Sequence, residues 1–167
     1  MKTKVLITGA TGLVGGRLNQ FLLKRGISTT KTSRSKKNFS KINWYSKKNL
    51  ESLCKGKDIV INCAGTDANN SNNLKKTKKT NSDFPFKLFN AANKNKVKLF
   101  IFLSTYHVYD FKKYKIINEK LIKKAKNNYT ESKILGEKKL LNYKSNYTKI
   151  LIIRSCNLFG YPIYKTK

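Results

Sequence analysis

Two residues in the later half of this sequence have types and spacing suited to proton chemistry. Tyr129 and Lys133 are four apart, which puts both on one face of a helix. An ammonium beside a phenol favours the phenolate, so Lys133 is expected to lower the Tyr129 pKa from about 10 toward neutrality. A phenol tuned in this way exchanges a proton between an alcohol and a ketone. Thr105, in the run Ser104-Thr105-Tyr106-His107-Val108-Tyr109, carries a hydroxyl able to hold the same oxygen. In a chain this rich in tyrosine and lysine the pair alone carries no weight, since Tyr143 and Tyr147 also have lysines nearby. Its meaning comes from what precedes it.

What precedes it is a glycine-rich turn, Thr8-Gly9-Ala10-Thr11-Gly12-Leu13-Val14-Gly15-Gly16, directly after the apolar run Val5-Leu6-Ile7. Glycines at 9, 12 and 15 let the chain turn tightly, let a pyrophosphate approach the backbone, and let the next helix pack closely on the strand. The first-turn amides and the positive end of that helix then form an anion site.

These groups need elements to hold them, and the pattern alternates strand and helix along the chain. Val5 to Ile7 reads as a strand, and Leu18, Phe21 and Leu22 mark an amphipathic helix ending at Gly26. Ile27 to Thr32, Asp58 to Asn62, Leu99 to Leu103 and Ile150 to Ile153 read as four more strands. Between them, Asn49 to Cys54, Ser82 to Lys94 and Tyr129 to Tyr143 read as helices. Lys36 to Tyr45 reads as irregular, and the polar stretch Thr66 to Lys79 as a mobile loop. The sum is an α/β fold with a parallel sheet, in one domain over 1–167, whose sequence stops soon after its fifth strand. The glycine turn, Thr105 and the Tyr129 helix all fall where strands end, the side on which such sheets bind ligands.

The formal charge of +29 invites a nucleic-acid reading. Only Arg17, Arg25, Arg34 and Arg154 are arginines, however, and the lysines are scattered beside many asparagines. Readers of nucleic acid rely on clustered arginine, so a coding bias filling solvent positions is the better account and nucleic acid is not expected as a partner. No apolar run is long enough to cross a bilayer, and the chain reads as soluble and cytoplasmic. Cys54, Cys63 and Cys156 have no metal-ligand spacing and read as small buried hydrophobes. His107 is the sole histidine, which removes any histidine-based triad and leaves it a pocket or packing role.

Taken in order, these segments resemble the extended short-chain dehydrogenase/reductase family of nucleotide-sugar epimerases, dehydratases and reductases, over nearly the whole chain. The opening glycine turn is similar to that family's cofactor turn, and Asp58 to Gly65 to its third strand and following turn. Ser104 to Tyr109 resembles its S-[ST]-x-x-V-[YF] strand end. Gly136-Glu137 and Arg154 to Gly160 resemble its trailing G-E and R-x-x-N-x-[YF]-G signatures.

The resemblance implies a Rossmann-like doubly wound sheet binding NAD or NADP through Gly9, Thr11, Gly12, Leu13, Val14, Gly15, Ser33, Arg34, Ala64 and Gly65. It further implies Tyr129 as general acid/base, Lys133 as its tuner and ribose ligand, Thr105 as holder of the reacting oxygen, and Asn81 as a relay. The acidic residue that ends the second strand in NAD-binding members is replaced by Ser33-Arg34, which favours NADP. The substrate implied is a nucleotide-linked sugar, and the family's habit implies a homodimer through the Tyr129 helix and the one before it. The C-terminal lobe that grips such a sugar is absent from the sequence. A catalytically idle dinucleotide-binding or interaction module therefore stands as the alternative.

Overall fold

A computed structural model describes residues 2–110, 112–113 and 116–164. Six parallel strands form one sheet, and the expected doubly wound α/β architecture is present. They are β1 (Lys4–Thr8), β2 (Ser28–Ser33), β3 (Ser40–Lys41), β4 (Ile59–Asn62), β5 (Leu99–Thr105) and β6 (Lys149–Ser155), in the spatial order β3-β2-β1-β4-β5-β6. The connecting helices are α1 (Leu13–Lys24), α2 (Lys47–Cys54), α3 (Leu74–Lys78), α4 (Phe84–Lys94) and α5 (Asn128–Leu141). The two-residue β3 falls in the stretch expected to be irregular, where it pairs Thr32 with Ser40. The strand read as the fifth is thus β6.

Register follows from burial on alternate faces. Leu6, Val60, Phe100 and Phe102 face one way, into a core with Leu50 of α2, Leu88 and Phe89 of α4, and Leu140 of α5. Val5 and Ile7 face the other way, where Leu18 and Leu22 of α1 cover them together with Ile59 and Ile61. A slip of one residue would turn the phenylalanines of β5 out of the core. Covering is unequal between the two faces. On the α1 side, Leu151 and Ile153 of β6 remain 45% and 42% exposed.

The segment read as a mobile loop is partly helical. Asn73 Oδ1 accepts from the Lys76 amide at 3.0 Å and starts α3, and Thr77 is buried. Asp67 closes the preceding turn by accepting from the Asn70 amide at 2.9 Å, and Asn128 Nδ2 donates to the Ser71 carbonyl at 3.0 Å. Helix α3 then runs into α4 through a π turn over Lys79–Asp83, in which the Phe84 amide reaches back to the Lys79 carbonyl. Pro85 explains the widening. Its ring has no N–H to give the Asn81 carbonyl four residues earlier, and would collide with it in a regular α-helix. Gly136 of α5 packs onto that same carbonyl, so closely that a Cβ there would lie 2.5 Å from the oxygen. The missing donor of Pro85 and the missing side chain of Gly136 together bring α5 close to the π turn.

The cysteine expectation needs correction in part. Cys54 is buried and Cys63 half-buried, but Cys156 is exposed, because it follows the last paired residue of an edge strand. Among the described residues no helix is long and apolar enough to cross a membrane.

Candidate functional site

The glycine turn is shaped by sterics that only glycine satisfies. Gly9 has φ +68°, and a Cβ on it would meet the Ala64 nitrogen at 2.5 Å. A Cβ on Gly15 would lie 2.5 Å from the Gly9 carbonyl oxygen, so the start of α1 rests directly on the turn. Helix α1 is capped at Gly12 without a side-chain hydrogen bond and carries no acidic residue in its first turn. Its leading amides therefore keep their capacity for an anion.

A cleft of about 680 Å³ opens beside this turn. Of the residues expected to hold a cofactor, Gly9, Thr11, Gly12, Ser33, Arg34, Ala64 and Gly65 all line it. Gly15 underlies the turn. Leu13 and Val14 instead line a separate groove on the outer side of α1, with Phe21 and Phe159, because the helical turn carries their side chains away from the cleft. Trp44, Ile42, Lys36 and Cys63 also line the cleft. Trp44 stacks on Phe84 with centroids 4.5 Å apart, and the Arg34 guanidinium lies 4.7 Å from its ring. Ser33 Oγ accepts from the Lys36 amide at 3.0 Å and so shapes the turn that presents Arg34.

Thr105 ends β5, and α5 begins at a capping box in which Asn127 Oδ1 accepts from the Thr130 amide at 2.9 Å and Thr130 Oγ1 from the Asn127 amide at 3.2 Å. That cap fixes where the first turn of α5 starts, and with it Tyr129. The Tyr129 phenol is hydrogen-bonded to the Thr105 side chain. Lys133, one turn further along, is 6% exposed and donates to the Leu103 carbonyl at 2.9 Å. Its Nζ lies 5.9 Å from the Tyr129 ring centroid, and a Cβ on Gly65 would be 3.3 Å from it. The trio thus meets at the carboxyl end of β5, and Lys133 reaches the border of the cleft.

The electrostatics differ from the sequence expectation. Burial raises the Tyr129 phenol above its ordinary value, with the Thr105 hydrogen bond opposing and the Asp67 charge adding to the rise. Burial likewise lowers Lys133 to about 8, against smaller opposing effects of Cys63 and Glu137. Burial pushes the Cys63 thiol up to about 12, with Lys133 opposing. Asn81 is fully buried; its Oδ1 accepts from the Thr66 amide at 2.8 Å, and its Nδ2 donates to the Thr66 carbonyl and to Ser132 Oγ, each at 3.0 Å. It clasps the loop after β4 to α5.

One group whose role the sequence did not disclose is Glu137, one turn beyond Lys133 and 0% exposed. It accepts from Ser104 Oγ at 2.5 Å, from Arg154 Nη2 at 2.8 Å and from Lys123 Nζ at 3.1 Å. Arg154 also donates to the Tyr109 phenol oxygen. Burial pushes the Glu137 carboxyl up, and the bonds from Arg154 and Ser104, with Lys123, more than reverse it. The spacing from Lys133 was the available signal, but the partners come from β5, β6 and a loop. His107 Nε2 lies 3.0 Å from Asn157 Oδ1, at the mouth of the same strand ends.

The fold recurs in solved structures. UDP-N-acetylglucosamine 4-epimerase from Bacillus cereus superposes with a TM-score of 0.82 at 20% identity, over 96% of this chain and 62% of that one. A short-chain dehydrogenase/reductase superfamily protein from Agrobacterium tumefaciens with bound NAD gives 0.80 at 19% identity, over 90% and 48%. A hypothetical dTDP-4-dehydrorhamnose reductase from Sulfolobus tokodaii gives 0.78 at 26% identity, over 94% and 57%. The chain therefore spans only about half to three-fifths of these proteins. No curated protein sequence matches it. The NAD dependent epimerase/dehydratase family matches residues 5–167, and the chain belongs to that family.

Proposed function

We propose that the cleft beside Gly9 and Gly12 holds a nicotinamide dinucleotide, and that Thr105, Tyr129 and Lys133 carry acid/base chemistry on a nucleotide-linked sugar. The observation that carries this reading is the meeting of the three side chains at the end of β5, with the Lys133 Nζ bordering Gly65 of the cleft. The residues present suit the dinucleotide: the helix start has no side-chain cap, and Gly9 could not bear a Cβ without striking Ala64. The family match and the NAD bound in the Agrobacterium protein support the same cofactor class. When bound, a nicotinamide supplies hydride exchange with carbon. The chain's own part is proton handling: Thr105 orients the substrate oxygen, and Tyr129 gives or takes the proton at its phenol oxygen. Lys133 supplies positive charge and hydrogen bonds beside them, and Asn81 positions α5 and serves as the relay.

Ser33 and Arg34 favour NADP, since an exposed guanidinium meets a phosphate where a carboxylate would repel it. Pairing of two copies through α5 and α4 belongs to the same reading. Fluorescence titration with NADPH and NADH tests it, and no binding of either would end it. A Tyr129→Phe chain that turns over substrate as fast as the parent would remove the catalytic assignment alone. One second reading, a dinucleotide-binding or interaction module without turnover, is favoured by the Lys133 ammonium being engaged by the Leu103 carbonyl. NADPH binding with no exchange of its hydride in any nucleotide-sugar assay would select that reading.

A further inference from the structure

A second cavity, of about 490 Å³, adjoins the cleft at Arg34, Ile42 and Trp44, the only residues the two share. The remaining lining comes from the segment at and after β3 and from α3 with its π turn. Four of its nine lining residues are cations (Arg34, Lys41, Lys76 and Lys79), and none is acidic. The whole chain has 37 cations in 167 residues, a share that predicts two in nine. The groove outside α1 has just those two, Arg17 and Lys24, among nine. The second cavity has twice that share.

Its lysines are also unneutralised. Among the described residues no carboxylate pairs with Lys41, Lys76 or Lys79. Like charges gathered at one cavity repel each other, and a bound anion relieves the repulsion. Beside them, Tyr45 holds its ring out, 75% exposed, with the Lys87 ammonium 5.6 Å from its centroid. Trp44 is packed against Phe84 and under Arg34, so it serves as a fixed wall that holds the guanidinium in place. Point charges for phosphate beside an exposed aromatic ring for a base are the combination by which proteins hold nucleotides.

We infer that this cavity is a second ligand site, and that it takes a nucleoside phosphate. The phosphates lie among Lys41, Lys76 and Lys79, and the base stacks on Tyr45. A free nucleotide and one unit of a single-stranded nucleic acid offer this same chemistry. The inference does not rest on the reading of the first cleft.

Calorimetric titration of the full chain with ADP, tripolyphosphate and hexa-adenylate tests it, alongside Tyr45→Ala and the double variant Lys76→Glu/Lys79→Glu. All three side chains are exposed, so the substitutions leave the core untouched. ADP is expected to bind more tightly than tripolyphosphate. Y45A should weaken ADP roughly tenfold or more, the scale of one base–aromatic stack, and leave tripolyphosphate unchanged. The double variant should abolish tripolyphosphate binding and the ADP binding that NADPH does not displace, while NADPH binding, read from its own emission, stays as in the parent. Hexa-adenylate tighter than ADP names a nucleic-acid strand as the source, and the reverse names a free nucleotide. Absence of ADP binding overturns the inference. So does ADP binding no tighter than tripolyphosphate, or ADP binding indifferent to both variants, which would put it in the first cleft. Loss of NADPH binding in the parent, with ADP still answering to Lys76 and Lys79, would sink the proposed function and spare this site.

Discussion

Lys133 stands one helical turn beyond Tyr129, yet its ammonium is directed at the Leu103 carbonyl, 2.9 Å away, and not at the phenol. Its Nζ remains 5.9 Å from the centre of the Tyr129 ring. Burial, not a neighbouring charge, dominates both groups, lifting the phenol and lowering the amine to about 8. Near neutral pH the pair therefore consists of a protonated phenol and a lysine close to losing its charge.

Replacing that lysine has a pH signature. The folded value of about 8 lies below the ordinary 10.5, so the folded state binds fewer protons than the unfolded one between these values. Stability from this residue is lowest below pH 8 and recovers as pH rises from 8 toward 10.5. Lys133→Met removes the burden. Thermal melts should show the variant gaining on the parent more at pH 7 than at pH 10, and equal differences at the two pH values would refute this. Turnover should fall at least a hundredfold in the same variant.

Thr105→Val deletes the one hydrogen bond that draws the Tyr129 phenol downward. The Tyr129 titration, followed by NMR of ring-labelled tyrosine, should move to higher pH than in the parent. Turnover should drop by about two orders of magnitude, in line with loss of a general-acid partner. An unmoved titration would mean that Thr105 does not govern the phenol.

Glu137→Gln leaves Arg154 and Lys123 facing a neutral amide in a buried site. Breaking a pair of this kind costs about 3 kcal/mol, readable in urea unfolding at pH 7. The carboxyl is held below its ordinary 4.5, so its stabilisation is present above that value and fades as pH falls through the folded one. The gap between parent and variant should therefore narrow in acid. A constant gap would show that packing, not charge, is what Glu137 supplies.

Gly136→Ala tests the approach of α5 to the π turn. The added methyl would lie 2.5 Å from the Asn81 carbonyl, with Phe102 at 3.2 Å, so the helix must shift. A loss of about 1–3 kcal/mol is expected, the ordinary scale of overpacking. The same substitution at Gly26, where a Cβ meets nothing within 4 Å, acts only through its positive φ of +72° and serves as the control.

Much of the sheet was legible in the sequence because β1, β4, β5 and β6 hold short apolar runs, and because the glycine turn that follows β1 admits few geometries. Thr105, Tyr129 and Lys133 were legible by their order along the chain. What escaped was held by side chains acting at a distance. Strand β3 has only Ser40 and Lys41 and no alternation to detect. Helix α3 owes its start to the Asn73 cap in a run without apolar period. The π turn needed Pro85 read together with the helix before it. The Glu137 cluster joins Ser104, Arg154 and Lys123, whose convergence exists only once β5, β6 and α5 are packed. The direction of the Lys133 side chain likewise depends on burial, which spacing does not encode.

The bare side of β6 has a colloidal consequence. Leu151 and Ile153 give one margin of the molecule a greasy strip beside backbone groups ready to pair with a like neighbour. Mutual repulsion between molecules that each carry +29 keeps those strips apart in dilute buffer. Near 1 M salt that repulsion reaches only about 3 Å, so concentrated brine is the medium in which this chain is expected to clump.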